Sequence, residues 1–365
     1  MRRQFVRRAL RPFLRAGDTR LQPNLAAASP RRILVCRPNH RLGNLLLLTP
    51  LLQELERRFP AAQVDIIAAG DAAPGLFAGF GNVAHVRTLA RRMVRHLPAT
   101  ARIVWQARTA RYDLAIDPCL ASQTGRLLAN VAGARHTLGF PRGAGIAEWT
   151  ALDPVHRMPR HAAELPVYLL RRALGCDAGQ LHAACPPLTL RLSQAERANA
   201  ALVVGDLLHA GNDSPATPQL IGVFAEATGT KRFPRDWWRR LIAGLRAVRS
   251  DCVFMEILPP DGGARLAMGL PTYCSRNPRE VAAVIARLTC FVSADCGVMH
   301  LASASGTPTI GLFSVSDAEK YQPYGHGGLG LVTTGKSTDE IAHLVAAHID
   351  RLAHLACGNA PAAPP

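Results

Sequence analysis

Apolar residues in this chain fall into short blocks that switch between two spacings, and this alternation limits the fold more than any other feature. RRILVC at 31–36 reads as a strand, and LLLLTPLLQELERRF at 45–59 reads as one helix. VDIIAAG follows the PAAQ turn as a second strand, and DLAID at 113–117 is a later one. Strand-helix-strand order of this kind predicts a parallel sheet covered by helices. The pattern loosens between roughly 140 and 190, where FPRGAG, DPVHRMPRH and ACPPL surround the helix-like AELPVYLLRRALG.

A second series then begins. QLIGVFAEA, CVFMEIL, TCFVSA and TPTIGLF read as strands. RDWWRRLIAGLRAV, PREVAAVIARL, HLASASG and the long DEIAHLVAAHIDRLAHLA read as helices between and after them. The predicted organisation is a basic segment over 1–30, a first α/β domain over 31–190, a second over 191–355, and a disordered tail over 356–365. Two doubly wound domains would leave a cleft between their strand ends. No short-period repeat is present.

Charge narrows the partners. The 365 residues carry 43 Lys+Arg against 26 Asp+Glu, a net charge of +17. Such an excess favours anionic lipid, nucleic acid or a phosphorylated substrate. No recognised nucleic-acid motif accompanies it, so no nucleic-acid partner is expected. The nine cysteines show no CxxC and no zinc-ligand spacing, which points to a reduced, cytoplasmic protein without a metal. The longest apolar run, LLLLTPLL, is too short to span a bilayer.

The first seventeen residues, MRRQFVRRALRPFLRAG, hold six arginines and no acid. On a helical wheel Arg3, Arg7, Arg8, Arg11 and Arg15 gather on one face, with Phe5, Val6, Leu10 and Phe13 mostly opposite. Two readings stand side by side: an interfacial segment held by anionic headgroups, or a solvated terminus.

Chemistry concentrates after strands. In SADCGVMHLASASGTPTIGLF, Asp295, Gly297 and His300 lie at the mouth of a helix, where unpaired N–H groups and the helix dipole favour a diphosphate. The bland alternative makes Asp295 a cap and His300 a buried helix residue. In ATGTKRFPRDWW, Thr228, Gly229, Thr230 and Lys231 set two hydroxyls, a flexible backbone and a cation at a strand end. Alone, that stretch is an ordinary turn. In the first half, RPNHRLGN follows the first strand, and Asp117 and Ser122 follow a later one. Asp113 reads as a structural partner.

Together these stretches resemble glycosyltransferase family 9, the ADP-heptose:lipopolysaccharide heptosyltransferases. The resemblance runs over about 31 to 350. It is carried by RILVCRPNHRLGNLLLLTPLLQELERRFP, YDLAIDPCLASQTGRLLANVAGARHTLGF, IGVFAEATGTKRFPRDWWRRL and the D-x-G-x-x-H-L-A motif before GTP. It implies a GT-B fold of two facing Rossmann-like domains. It also implies an inverting transfer of heptose from an ADP-linked donor to a lipopolysaccharide core sugar, at the cytoplasmic face of the bacterial inner membrane and with no obligatory metal or other cofactor. On this resemblance Lys231 matches the phosphate-binding lysine, and Asp295, Gly297 and His300 match the donor motif. Thr228 and Thr230 lie in the matching loop. Arg37, Gly43, Asp117 and Ser122 fall on the acceptor side.

One departure matters. The family places a general-base aspartate after the glycine of its first turn, where this sequence reads Gly43-Asn44. An amide cannot accept that proton. Three accounts remain open: His40 serves as base, histidine being suited to it; Asn44 orients the acceptor while the leaving diphosphate or another acid takes the proton; or the chain only binds sugar nucleotide or glycolipid.

Overall fold

The structure, a computed structural model, describes Leu25 and residues 29–90, 96–120, 122–140, 158–209, 219–263 and 265–358. The arginine-rich segment over the first seventeen residues lies outside them. The chain divides into two compact units, Met1–Pro186 and Pro187–Pro365.

The first unit runs β1 (Arg32–Cys36), α1 (Leu42–Leu46), α2 (Thr49–Arg58), β2 (Gln63–Ala69), α3 (Ala73–Phe77) and β3 (Val83–Leu89). It continues with α4 (Leu97–Thr109), β4 (Leu114–Asp117), α5 (Gln123–Val131), β5 (His136–Gly139), α6 (Leu165–Ala173) and α7 (Ala178–Leu181). Its five strands are ordered β3-β2-β1-β4-β5, and every pairing is parallel. The order reverses between β1 and β4. Strand ends diverge at such a switch point and leave a crevice beyond them.

The second unit repeats the plan. It holds α8 (Gln194–His209), β6 (Gln219–Phe224), a single 3-10 turn at Gly229–Lys231, α9 (Arg235–Val248), β7 (Cys252–Ile257), β8 (Thr272–Tyr273) and α10 (Pro278–Ile285). Then come β9 (Cys290–Ala294), α11 (Gly297–Ser305), β10 (Thr309–Phe313), α12 (Ala318–Tyr321), β11 (Leu329–Val332) and α13 (Thr338–Gly358). The six strands are ordered β11-β10-β9-β6-β7-β8, again all parallel. Here the switch point falls between β6 and β9. The α/β class expected from the sequence is thus the class observed: two units, each built on an all-parallel sheet.

Packing follows the sequence pattern. Every residue of β9 and of β10 is buried, as parallel strands covered on both faces require. On α9, Trp238, Leu241, Ile242 and Leu245 point inward at helical spacing. They join Ile341, Val345 and Ile349 of α13 in one core. Gly306 ends α11 with φ 91°, a left-handed conformation that a side chain would strain.

One element differs from its sequence reading. The helix expected continuously over 45–59 is two, α1 and α2, with Pro50 in the first turn of the second. Proline has no N–H to continue a helix but suits a helix start. The Thr49 hydroxyl donates to the Leu46 carbonyl at 2.9 Å across the break.

Candidate active site

Both switch points gather the polar residues picked out in the sequence. In the second unit, β6 leads into the turn with Thr228 and Thr230 exposed and Gly229 at φ 64°. The turn aims the Lys231 ammonium across to Asp295, just past β9: Nζ lies 2.5 Å from Oδ2. Ser316, after β10, donates its hydroxyl to the same oxygen at 2.5 Å. Three strand ends thus meet on one carboxylate.

Asp295 does not cap α11. Cys296 holds the N-cap position with an extended backbone and no side-chain cap bond. Asp295 therefore sits one residue outside the helix, 6% exposed, and is left to organise Lys231 and Ser316. Gly297 opens the helix, and its first N–H groups lack carbonyl partners within it. His300 lies one turn in and is buried, as the bland reading expected. Behind the turn, Phe233 stacks on Trp237 with ring centroids 4.2 Å apart, while Trp238 is fully buried. These rings anchor α9 and so fix the end of the segment carrying Lys231. The arrangement can bind an anion through a half-exposed ammonium, a helix N-terminus and nearby hydroxyls.

In the first unit, Arg37 immediately follows β1. Its Nε donates to the Asn44 carbonyl at 3.2 Å, and its Nη1 reaches Cys119 Sγ. The β1 turn is thereby tied to the segment after β4. Gly43 is buried in α1 and Asn44 half-buried. His40 is exposed. A Cβ added to Gly70 would stand 3.2 Å from that of His40, so the loop packs closely on the end of β2.

Asp117, at the end of β4, is 1% exposed. Arg126 Nε donates to its Oδ2 at 3.3 Å, and the Cys119 amide to its Oδ1 at 3.3 Å. Burial pushes its carboxyl up to about 6 against the opposing pull of Arg126, the Cys119 amide and Arg37. Ser122 is the N-cap of α5, its hydroxyl accepting from the Gly125 amide at 2.9 Å. That employment accounts for its place in the sequence without an acceptor. Asp113 accepts from the amides of Arg31 and Arg32 at 2.9 and 3.0 Å, the structural part expected of it. Burial would raise its carboxyl, but those bonds hold it below the usual range.

Sequence reading missed Ser316, Arg126 and Cys119. Ser316 had a signal, a hydroxyl just past a predicted strand in the second series. The other two become visible only once the strand order is known. Among the described residues, no group of three His, Cys, Asp or Glu could hold a metal ion, and eight cysteines are free thiols.

The sequence profile of glycosyltransferase family 9 (heptosyltransferase) matches residues 101–338. Solved structures share the fold. A glycosyl transferase family 9 protein from Veillonella parvula DSM 2008 superposes with a TM-score of 0.67 at 17% identity, covering 88% of this chain and 97% of that one. The E. coli heptosyltransferase WaaC with ADP gives 0.63 at 20% identity, over 88% and 99%. E. coli ADP-heptose lps heptosyltransferase II gives 0.62 at 16%, over 88% and 99%. No curated protein sequence matches the chain.

Proposed function

Since the chain belongs to glycosyltransferase family 9, we propose that it moves a heptose from an ADP-activated donor to a lipopolysaccharide core sugar with inversion. The observation that carries this reading is the Lys231–Asp295–Ser316 cluster beside the first turn of α11. In it Asp295 and Ser316 hold the Lys231 ammonium in place beside N–H donors, where a diphosphate would leave. The similar E. coli proteins, one solved with ADP and one described as an ADP-heptose enzyme, support the same donor.

In the proposed reaction an acceptor hydroxyl oxygen attacks the anomeric carbon from the face opposite the diphosphate. The bond to the diphosphate oxygen breaks, and its electron pair departs with ADP. Lys231 and the α11 N–H groups stabilise the charge that develops there, with no metal required. Thr228 and Thr230 would donate to phosphate oxygens, while Gly297 lets the backbone approach. His300 contributes a further hydrogen bond. On the acceptor side, Arg37, Gly43 and Asp117 shape the β1/β4 end, and Ser122 holds α5 in place.

The hydroxyl proton goes to His40, which the β1 turn carries at the surface. Asn44 orients that acceptor. The first unit thus takes the acceptor and the second the donor, the boundary between them falling close to residue 190. The chain would act as a peripheral protein at the inner face of the bacterial inner membrane. No helix among the described residues is long and apolar enough to cross a membrane.

The test combines ADP-heptose, lipopolysaccharide core acceptor and the full chain, following ADP release and acceptor mass together. One heptose gained per ADP released supports transfer. Donor binding with neither product would leave the chain a sugar-nucleotide or glycolipid binder, the reading that Asn44 favours.

A further inference from the structure

Helix α4 presents an outward face that the first unit's core does not use. Its inner side is settled: Ala107 is buried, and Ile103 and Val104 pack against the cluster that includes Leu34, Ile67 and Leu128. Its outer side carries Leu97 at 62% and Trp105 at 66% exposure, with exposed Ala101 between them. Spacings of four residues place these three along one line of the helix. Exposed Arg102 and Arg108 flank the line, Arg108 with its Nη1 also donating to the Val131 carbonyl of α5 at 3.2 Å.

Single exposed apolar residues are ordinary, but an aligned Leu and Trp beside arginines is a patch with a chemistry. Its charge is one-sided over a long stretch. From Ala72 to Tyr112 the sequence holds seven arginines and neither Asp nor Glu. Among the described ones Arg87 is occupied by a buried acid, donating to Asp65 at 2.8 Å.

We propose that the outward face of α4 docks on an anionic phospholipid surface, Leu97 and Trp105 entering the interface and Arg102 and Arg108 engaging headgroup phosphates. Tryptophan favours the boundary between headgroups and acyl chains, and arginines gain from lipid charge there. A second copy of this chain fits less well, because pairing two such faces would bring arginines against arginines. The helix returns from the end of β3 to the start of β4, so Leu97 lies toward the carboxyl ends of the strands, where Arg37 and Asp117 stand. Docking would set those strand ends near lipid-linked molecules. The inference stands apart from which sugar is transferred.

The experiment compares the full chain with Leu97→Ser/Trp105→Ser and with Arg102→Gln/Arg108→Gln, using vesicles of phosphatidylcholine alone or with one-quarter phosphatidylglycerol. All four positions are exposed, so folding should be little changed, and a nucleotide titration on each variant checks this separately from the transfer reading. Wild type should co-sediment with the anionic vesicles only. The serine pair should lose at least about tenfold in partition, and the glutamine pair about thirtyfold at low salt. Trp105→Phe should keep binding but lose most of the blue shift in emission. Equal partition of wild type and the serine pair overturns the proposal. So does a serine-pair shift from dimer to monomer, or lost binding to a soluble polyanion, with vesicle binding unchanged.

Discussion

Asn44 stands where a general base would be expected, and its backbone carbonyl is already held by Arg37 at 3.2 Å. If proton transfer passes through His40, replacing His40 by Ala should reduce turnover by roughly 10²–10⁴-fold, the usual contribution of a placed base. Asn44→Asp should then change turnover little. A large gain from Asn44→Asp with an unaffected His40→Ala would move the base to position 44. Asp117 makes a separate prediction. Its folded pKa, about 6, lies above the ordinary carboxylate value because it is buried. A raised folded pKa means that the folded chain holds the proton more tightly. The associated stability is complete below about pH 4 and disappears as pH rises through about 6. Relative to Asp117→Asn, wild type should therefore lose about 3 kcal/mol between these limits, at about 1.4 kcal/mol per unit. Denaturant midpoints measured across that range check the sign.

At the scale of elements, α2 and α6 are joined by charge inside the first unit. Glu54 is fully buried and accepts from Arg171 Nε at 3.0 Å and from Arg57 Nη2 at 2.6 Å. Arg171 also donates to the Ala183 and Ala184 carbonyls. Glu54→Ala should cost about 3–5 kcal/mol, because Arg171 would keep a buried charge without its counterion. Urea unfolding should show a lower midpoint with an unchanged slope. Nothing in ELERRF announces that link, since Glu54 and Arg171 are 117 positions apart. Elements with a one-sided apolar pattern were legible: RDWWRRLIAGLRAV is α9 to the residue. The strand VAHVRTL was not. It is β3 at the edge of its sheet, mostly half-exposed, so no apolar run betrays it. α4 was missed because half its apolar residues face outward and blur its periodicity. The donor-side residues could be named from their motifs, yet Arg126 and Cys119 depend on which strand ends become neighbours.

For the whole molecule, the two units repeat one architectural solution. Each places its polar residues where the strand order reverses, between β1 and β4 in one and between β6 and β9 in the other. The net charge of +17 suits an anionic donor and an anionic surface alike. The two should separate by salt: the vesicle association, resting on several arginines, should weaken steeply, while donor binding through one ammonium should respond less. The central claim is that the β6/β9 end binds an ADP-linked sugar through Lys231 and the start of α11. Calorimetric titration of ADP-heptose into wild type and into Lys231→Ala tests it most directly. Loss of a charged hydrogen-bond partner, about 1.5–3 kcal/mol, predicts roughly ten- to hundredfold weaker binding in the variant, with its thermal unfolding little changed. Equal affinity in both proteins, or no heat of binding in wild type at millimolar donor, would contradict it.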